Sequence, residues 1–364
     1  MALPISRDIA GLTPYSPGKP IEELERELGI QKAVKLASNE NPLGPSTKAI
    51  AAIEDALKGL HRYPEGSGIE LRMALADRFK VGPAEIILGN GSNEIIELLV
   101  RAFLQSGDEA IMADLTFVVY QNIVKAAHGR PVVVPLHRGC HALKKMAGRV
   151  TKRTRLIFIC NPNNPTGTIV RQEEVDEFLE RVPEDVITVF DEAYYEYVTD
   201  QGFPRSLQYL QQGKNVTILR TFSKIYGLAG LRIGYGLTTE EIASTLHRVR
   251  QPFNTNRLAQ IAALAALRDD EHVRQSLQIN EAGKAMLCNG FRERGLEYFA
   301  TQANFIYVNV GRAGQEVYTK LLKEGVIVRH IEGPYLRVTI GLSEENKKFV
   351  DALGRVLGEM GQKA

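Results

Sequence analysis

Two spacings of apolar residues alternate along most of this chain. Short runs that are apolar at nearly every position stand at 85–88 (EIIL), 109–113 (EAIMA), 130–136 (RPVVVPL), 155–160 (RLIFIC), 186–191 (VITVFD) and 216–221 (VTILRT). Between several of them lie stretches with helical spacing, at 47–60 (TKAIAAIEDALKGL), 69–79 (IELRMALADRF), 92–105 (SNEIIELLVRAFLQ) and 173–181. Runs that are apolar throughout, rather than alternating, suit strands covered on both faces, as in a parallel sheet. Their alternation with helices predicts a doubly wound α/β domain.

The texture changes after about residue 256. One long alanine-rich helical stretch, 257–279, leads into a strand–helix–strand set: NFIYVNV, GQEVYTKLLKEG, VIVRH and YLRVTIG. A last helix is expected from Ser343, read as an N-cap with Glu344 and Glu345 in the first turn. Residues 1–45 are rich in Pro, Gly and Asn around one helical pattern, IEELEREL. The expected organisation is an extended arm at 1–45, a large domain at 46–255 and a smaller α+β domain at 256–364, the arm packing on the small domain or on a partner subunit.

Composition narrows the class. With 364 residues, 44% hydrophobic and 24% charged, the chain has the make-up of a soluble globular protein. A net charge of +2 argues against a nucleic-acid binder. The three cysteines, Cys140, Cys160 and Cys288, have no C-x-x-C spacing, so neither a disulfide framework nor a zinc or other metal site is expected, and a reducing compartment fits. No run of 18 apolar residues and no signal-peptide pattern is present. A cytoplasmic protein without nucleic-acid or membrane partners is the expectation.

Ligands of open α/β sheets bind at the carboxyl ends of the strands. After EIIL comes GNGSN, which runs directly into a helix and reads as a phosphate cradle or as a plain tight turn. It lacks the third glycine of a dinucleotide fingerprint. After RLIFIC comes NPNNPTG, after VITVF comes Asp191, and after VTILRTF come Ser223 and Lys224, with Arg232 further on. Each has a plainer reading alone: a helix cap, a solvated lysine, half a salt bridge. No G-x-x-x-x-G-K-[ST] accompanies the acid, and no S-D-N or K-T-G accompanies TFSK. Together they describe what pyridoxal phosphate requires. A lysine amine forms a Schiff base with the aldehyde, a carboxylate keeps the pyridine nitrogen protonated, and the ring takes up electrons.

Eight ordered motifs then carry a resemblance: LTPYSPGKPIEEL, LASNENPLGPS, RYPEGSG, GNGSNEII, NPNNPTG, FDEAYYEY, TFSKIYGLAGLRIGY and YLRVTIG. The chain resembles the fold-type I, pyridoxal-phosphate-dependent class I/II aminotransferases, and within them the histidinol-phosphate subfamily. The resemblance implies that Lys224 is the Schiff-base lysine and moves the proton at the substrate Cα. Asp191 matches the partner of the pyridinium nitrogen, and Tyr194 and Asn164 match the groups on the ring hydroxyl oxygen. Gly91, Ser92 and Asn93 fall on the phosphate-binding turn, completed by Ser223, Arg232 and Thr221. Phe117 stands where an aromatic ring stacks on the cofactor, more often a tyrosine. Tyr63 resembles a tyrosine that reaches the cofactor phosphate of the neighbouring subunit, which implies a homodimer with shared sites.

For the substrate, Arg337 matches the carboxylate-binding arginine, Arg329 a position that joins in binding the substrate phosphate, and Tyr15 a residue closing over the imidazole end. An arginine fork pairs bidentately with carboxylate or phosphate. The implied reaction is ping-pong transamination of L-histidinol phosphate with 2-oxoglutarate, giving imidazole-acetol phosphate and L-glutamate in histidine biosynthesis. Alternatives are an aromatic or broad-specificity aminotransferase, a threonine-phosphate decarboxylase of the same family, and a non-catalytic regulator keeping the fold.

Overall fold

The computed structural model describes residues 5–14 and 18–361. Among the described residues, twelve strands form three sheets. In chain order they are β1 (Val34–Lys35), β2 (Ile86–Gly89), β3 (Glu109–Ala113), β4 (Arg130–Val134), β5 (Thr154–Cys160), β6 (Ile187–Asp191), β7 (Val216–Thr221), β8 (Gly234–Thr238), β9 (Phe305–Asn309), β10 (Val326–Ile327), β11 (Arg329–His330) and β12 (Tyr335–Thr339).

The central sheet has seven strands in the order β2-β8-β7-β6-β5-β3-β4. All pairings from β7 to β4 are parallel, and only β8 runs against its neighbours. Successive side chains of a strand point to opposite faces, and here both faces are dry. Ile157 and Ile159 of β5 join one apolar cluster, while Leu156, Phe158 and Cys160 join the other. The helices Ser92–Phe103, Val119–Ala126 and Glu240–Val249 cover the second face. This is the doubly wound, mainly parallel α/β architecture read from the apolar runs.

Strand β8 was not among the expected strands. Its sequence, GYGLT, carries two glycines, which are depleted in strands. The glycines are required: a Cβ at Gly234 would collide with the backbone of Gly91 and Ser92, and one at Gly236 would press on Ile87.

The helical stretch expected at 257–279 is two helices, Arg257–Leu267 and Asp270–Arg292, broken where Asp269 leaves helical geometry (φ −115°, ψ 68°). The shorter helix presents Ala259, Ala262, Ala263 and Ala266 to the first face of the large sheet, in the cluster that also holds Ala49 of helix Thr47–Ala56. Alanine at i, i+3, i+4 and i+7 makes a narrow apolar stripe that lets two helices approach closely.

The second sheet is antiparallel, β11-β12-β9, and its own cluster takes Leu287 and Phe291, Val317 and Leu321, and Phe349 and Leu353 from three helices. From the N-terminal arm, β1 pairs in parallel with β10 (Val34 opposite Val326). Leu24, Ala33 and Ala37 close a small cluster there over Ile327. The chain from Ala37 onward then passes between the two sheets. Among the described residues, no helix is long and apolar enough to cross a membrane.

Candidate active site

A cavity of about 270 Å³ opens where this strap crosses the carboxyl ends of β5, β6 and β7. Each of these three strands ends by delivering polar groups to it. Asp191 is the last residue of β6, Thr221 ends β7 with Ser223 and Lys224 just beyond, and Asn164 lies in the loop after β5. Ser92 and Asn93, opening the helix after β2, also line it, as do Phe117, Tyr194, Arg232 and Arg337.

Burial sets the chemistry of Asp191. Only 4% exposed, it is pushed up to about 6 by loss of water, against the hydrogen bond from Tyr120, the Ala193 N–H and the Lys224 charge, which pull it down. Its Oδ2 accepts from Tyr120 Oη at 2.5 Å. Its Oδ1 is buried with no partner among the described residues. An orphaned carboxylate oxygen is costly unless a donor arrives.

Lys224 Nζ donates to the Ser38 carbonyl at 3.3 Å. Burial and the like charges of Arg337 and Arg232 bring its ammonium down to about 8, opposed by Glu40 and Asp191. The amine is therefore available as a base or nucleophile near neutral pH.

On the far wall, Gly91 (φ +76°) precedes helix Ser92–Phe103, whose N-terminus no side chain caps. A Cβ at Gly91 would run into the Arg232 guanidinium. Arg232, itself left-handed at φ 58°, donates to Ser223 Oγ at 3.3 Å. Glycine backbone, helix N-terminus and guanidinium thus converge on one anion-sized space.

The opposite wall comes from the small sheet and the strap. Arg337 of β12 donates to Asn164 Oδ1 at 2.7 Å and to the Ala37 carbonyl at 2.5 Å. Tyr194, its phenol pushed up mainly by burial, accepts from Asn39 Nδ2 at 2.9 Å. Asn39 in turn donates its N–H to Thr339 Oγ1 at 2.9 Å.

Of the residues singled out in the sequence, Lys224, Asp191, Tyr194, Asn164, Ser92, Asn93, Phe117, Thr221, Ser223, Arg232 and Arg337 meet at this cavity, with Gly91 packed behind it. Arg329 does not line it. It stands directly opposite Arg337 across β11 and β12, on a neighbouring cavity of about 300 Å³ that shares Phe117, Asn164 and Arg337. Tyr63 is outside both: it is 79% exposed and its ring stacks on Phe253 at 4.7 Å. Tyr15 lies outside the described residues. Sequence reasoning missed Ser38, Asn39, Glu40, Cys160 and Tyr120. The first three sit inside LASNENPLGPS, a motif noticed without a role. Tyr120 carried one faint signal, a phenol in register with Val124 on the buried face of helix Val119–Ala126.

Residues 31–353 match the model of the family described as aminotransferase class I and II, and the chain belongs to that family. More particular relatives are named histidinol-phosphate aminotransferase. One from Moorella thermoacetica is 50% identical over 354 residues, covering 96% of this chain and 92% of that protein. Another, from Caldicellulosiruptor saccharolyticus, is 46% identical over 353 residues, covering 96% and 99%. The solved histidinol-phosphate aminotransferase of Sinorhizobium meliloti, in complex with pyridoxal-5'-phosphate, superposes with a TM-score of 0.90 at 26% identity over 98% of each chain.

Proposed function

We infer that this chain is a pyridoxal-phosphate-dependent aminotransferase that converts L-histidinol phosphate and 2-oxoglutarate to imidazole-acetol phosphate and L-glutamate, a step of histidine biosynthesis. The observation that carries the cofactor is Asp191 Oδ1, buried and unpartnered at the cavity wall, in the same space as the Lys224 amine and the Gly91–Arg232 cradle. A planar pyridine with a phosphate tail satisfies all three. When bound, it supplies an aldehyde that exchanges amines and a ring that takes up the electron pair left at the substrate Cα.

The protein's residues do the rest. Lys224 Nζ holds the cofactor and, once released, takes the proton from the substrate Cα. Asp191 accepts from the ring N–H and keeps that nitrogen charged. Tyr194 and Asn164 hold the ring hydroxyl oxygen, and Phe117 covers one face. Its phosphate would be held by Gly91, Ser92, Asn93, Ser223 and Arg232, with Thr221 also on that wall. Arg337 and Arg329 bind substrate phosphate in one half-reaction and 2-oxoglutarate carboxylate in the other; Tyr15, outside the described residues, is assigned to the imidazole end by the resemblance alone. Two arginines directly opposite on antiparallel strands point the same way, which supports a dianionic group between them.

Tyr63 serves the phosphate of a second copy, so the working unit is a homodimer. An exposed tyrosine stacked on an exposed phenylalanine, with Leu57, Leu60 and Met73 exposed nearby in the chain, supports this. The same reading divides the chain into an arm (1–45), a cofactor-binding domain (46–255) and a small domain (256–364), with helix Arg257–Leu267 reaching back into the large core. A cytoplasmic location agrees with three free cysteines.

The test is the visible spectrum of the cofactor-loaded protein as histidinol phosphate is added without keto acid. Loss of the band, restored by 2-oxoglutarate, is expected. A response to phenylalanine or tyrosine but not to histidinol phosphate would overturn the substrate.

A further inference from the structure

The two oxygens of Asp191 have different surroundings. Oδ1 lies unpartnered and buried at the cavity, whereas Oδ2 is held by Tyr120 Oη at 2.5 Å. Tyr120 is fully buried on helix Val119–Ala126. Its ring stacks on Phe158 of β5 at 4.7 Å and 7°, and meets Phe117 edge-on at 5.5 Å and 87°. Neither ring contact needs a hydroxyl. Phenylalanine would fill the space without bringing a polar group into the apolar cluster, where an unmatched hydroxyl is unfavourable. The hydroxyl therefore points to a task at Asp191.

We propose that Tyr120 is a positioning residue for the cofactor site: its hydroxyl holds Asp191 Oδ2 so that Oδ1 faces the ring nitrogen, while its ring backs Phe117. One side chain then sets both the nitrogen's partner and the aromatic wall over the ring. The inference rests on Asp191 being that partner.

A carboxylate anchored through one oxygen loses its freedom to turn, and a hydrogen bond donated to the charged form keeps it charged. The other groups facing Asp191 are Glu192 beside it in the chain, the Tyr194 phenol, Cys160 on β5, Lys224 after β7 and the Ala193 N–H. Glu192 and burial favour protonation, while Lys224 and Ala193 oppose it together with Tyr120. Removing the hydroxyl leaves the carboxyl more easily neutralised and free to rotate off the ring nitrogen.

The test is Tyr120→Phe, which keeps the ring. Its thermal melt should match the parent within a few degrees. Titration of the apo-protein should show about tenfold weaker pyridoxal-phosphate binding, the scale expected for losing a hydrogen bond to a charged group. The pH titration of the visible band should shift as well. In an Asp191→Asn background the same change should alter affinity less than about twofold, because partners of one interaction are not additive. Parental affinity and spectrum in Tyr120→Phe, with both altered in Asp191→Asn, would overturn the proposal. So would an equal loss in both backgrounds, which would assign the effect to packing. If Asp191→Asn itself binds and absorbs like the parent, the reading of Asp191 falls and takes this one with it.

Discussion

Arg337 donates to Asn164 Oδ1 at 2.7 Å, joining the middle strand of the small sheet to the loop that follows β5 of the large one. The other arm of the fork holds the Ala37 carbonyl. Lysine offers a point charge and cannot serve both acceptors with one geometry. Arg337→Lys should lower kcat/KM for 2-oxoglutarate by about 100-fold, on the scale of a lost charged hydrogen-bond pair. Cofactor affinity should change far less, and steady-state kinetics with a parallel pyridoxal-phosphate titration will show both.

Lys224→Ala should abolish turnover in a protein that still folds. In the parent, an amine at about 8 instead of the usual 10.5 is neutral at lower pH. Formation of the visible band on mixing apo-protein with cofactor should therefore speed up by nearly tenfold per pH unit below 8 and level off above it. A rate still climbing between pH 9 and 10 would show an ordinary lysine.

Asp191 carries a stability penalty in the apo-protein. Its carboxyl is raised from 3.8 to about 6, so the folded chain holds that proton more tightly than the unfolded one. Stability is then full below about pH 4, declines as pH rises through 6 and stays lower at 7. The difference is on the order of 3 kcal/mol, from about 1.4 kcal/mol per pH unit. Apo Asp191→Asn should be more stable than the parent at pH 7, equal near pH 4, and slower in turnover by several orders of magnitude. Denaturant melts at the two pH values give the comparison.

Beneath the site, Arg220 and Glu192 form an ion pair at 2.8 Å with side chains 3% and 1% exposed, and Arg220 lies 3.4 Å from the centre of the Tyr195 ring. Breaking a buried pair from one side leaves an uncompensated charge, at about 3–5 kcal/mol. Arg220→Ala or Glu192→Ala should lose that much in urea denaturation, whereas Arg220→Met with Glu192→Leu should recover most of it.

If Tyr63 completes the partner's site, two inactive variants should complement. A Tyr63→Ala subunit paired with a Lys224→Ala subunit has one intact site of two. With random pairing, about a quarter of parental activity should appear after unfolding and refolding the mixture. No recovery would remove Tyr63 from the shared site.

The parallel strands were legible because burial on both faces leaves an unbroken apolar run, and the residue after each run lands at the sheet's carboxyl edge. That is why Asp191, Ser223 and Lys224 could be picked from a string. Strand β8 was not legible, since Gly234 and Gly236 exist to let Ser92 and Ile87 come close, and close approach removes the side chains that advertise a strand. Asn39 and Tyr120 were hidden for another reason. Their meaning lies in partners distant in the chain, Tyr194 and Thr339 for Asn39 and Asp191 for Tyr120. The break at Asp269 escaped because charged residues continue helical spacing without interruption.

The strap from Ala37 to Asn39 has a consequence for the order of assembly. Its bonds to Arg337 and Thr339 each span 300 residues of chain. During synthesis the central sheet can collapse while Ala37, Ser38 and Asn39 still wait for strand β12 to emerge, and contacts so far apart close late. The pocket's floor is thus laid early and its clasp last. A nascent chain halted before Tyr335 would carry Asp191 and Lys224 in place with nothing to shut over them, leaving the cavity as the final checkpoint of folding.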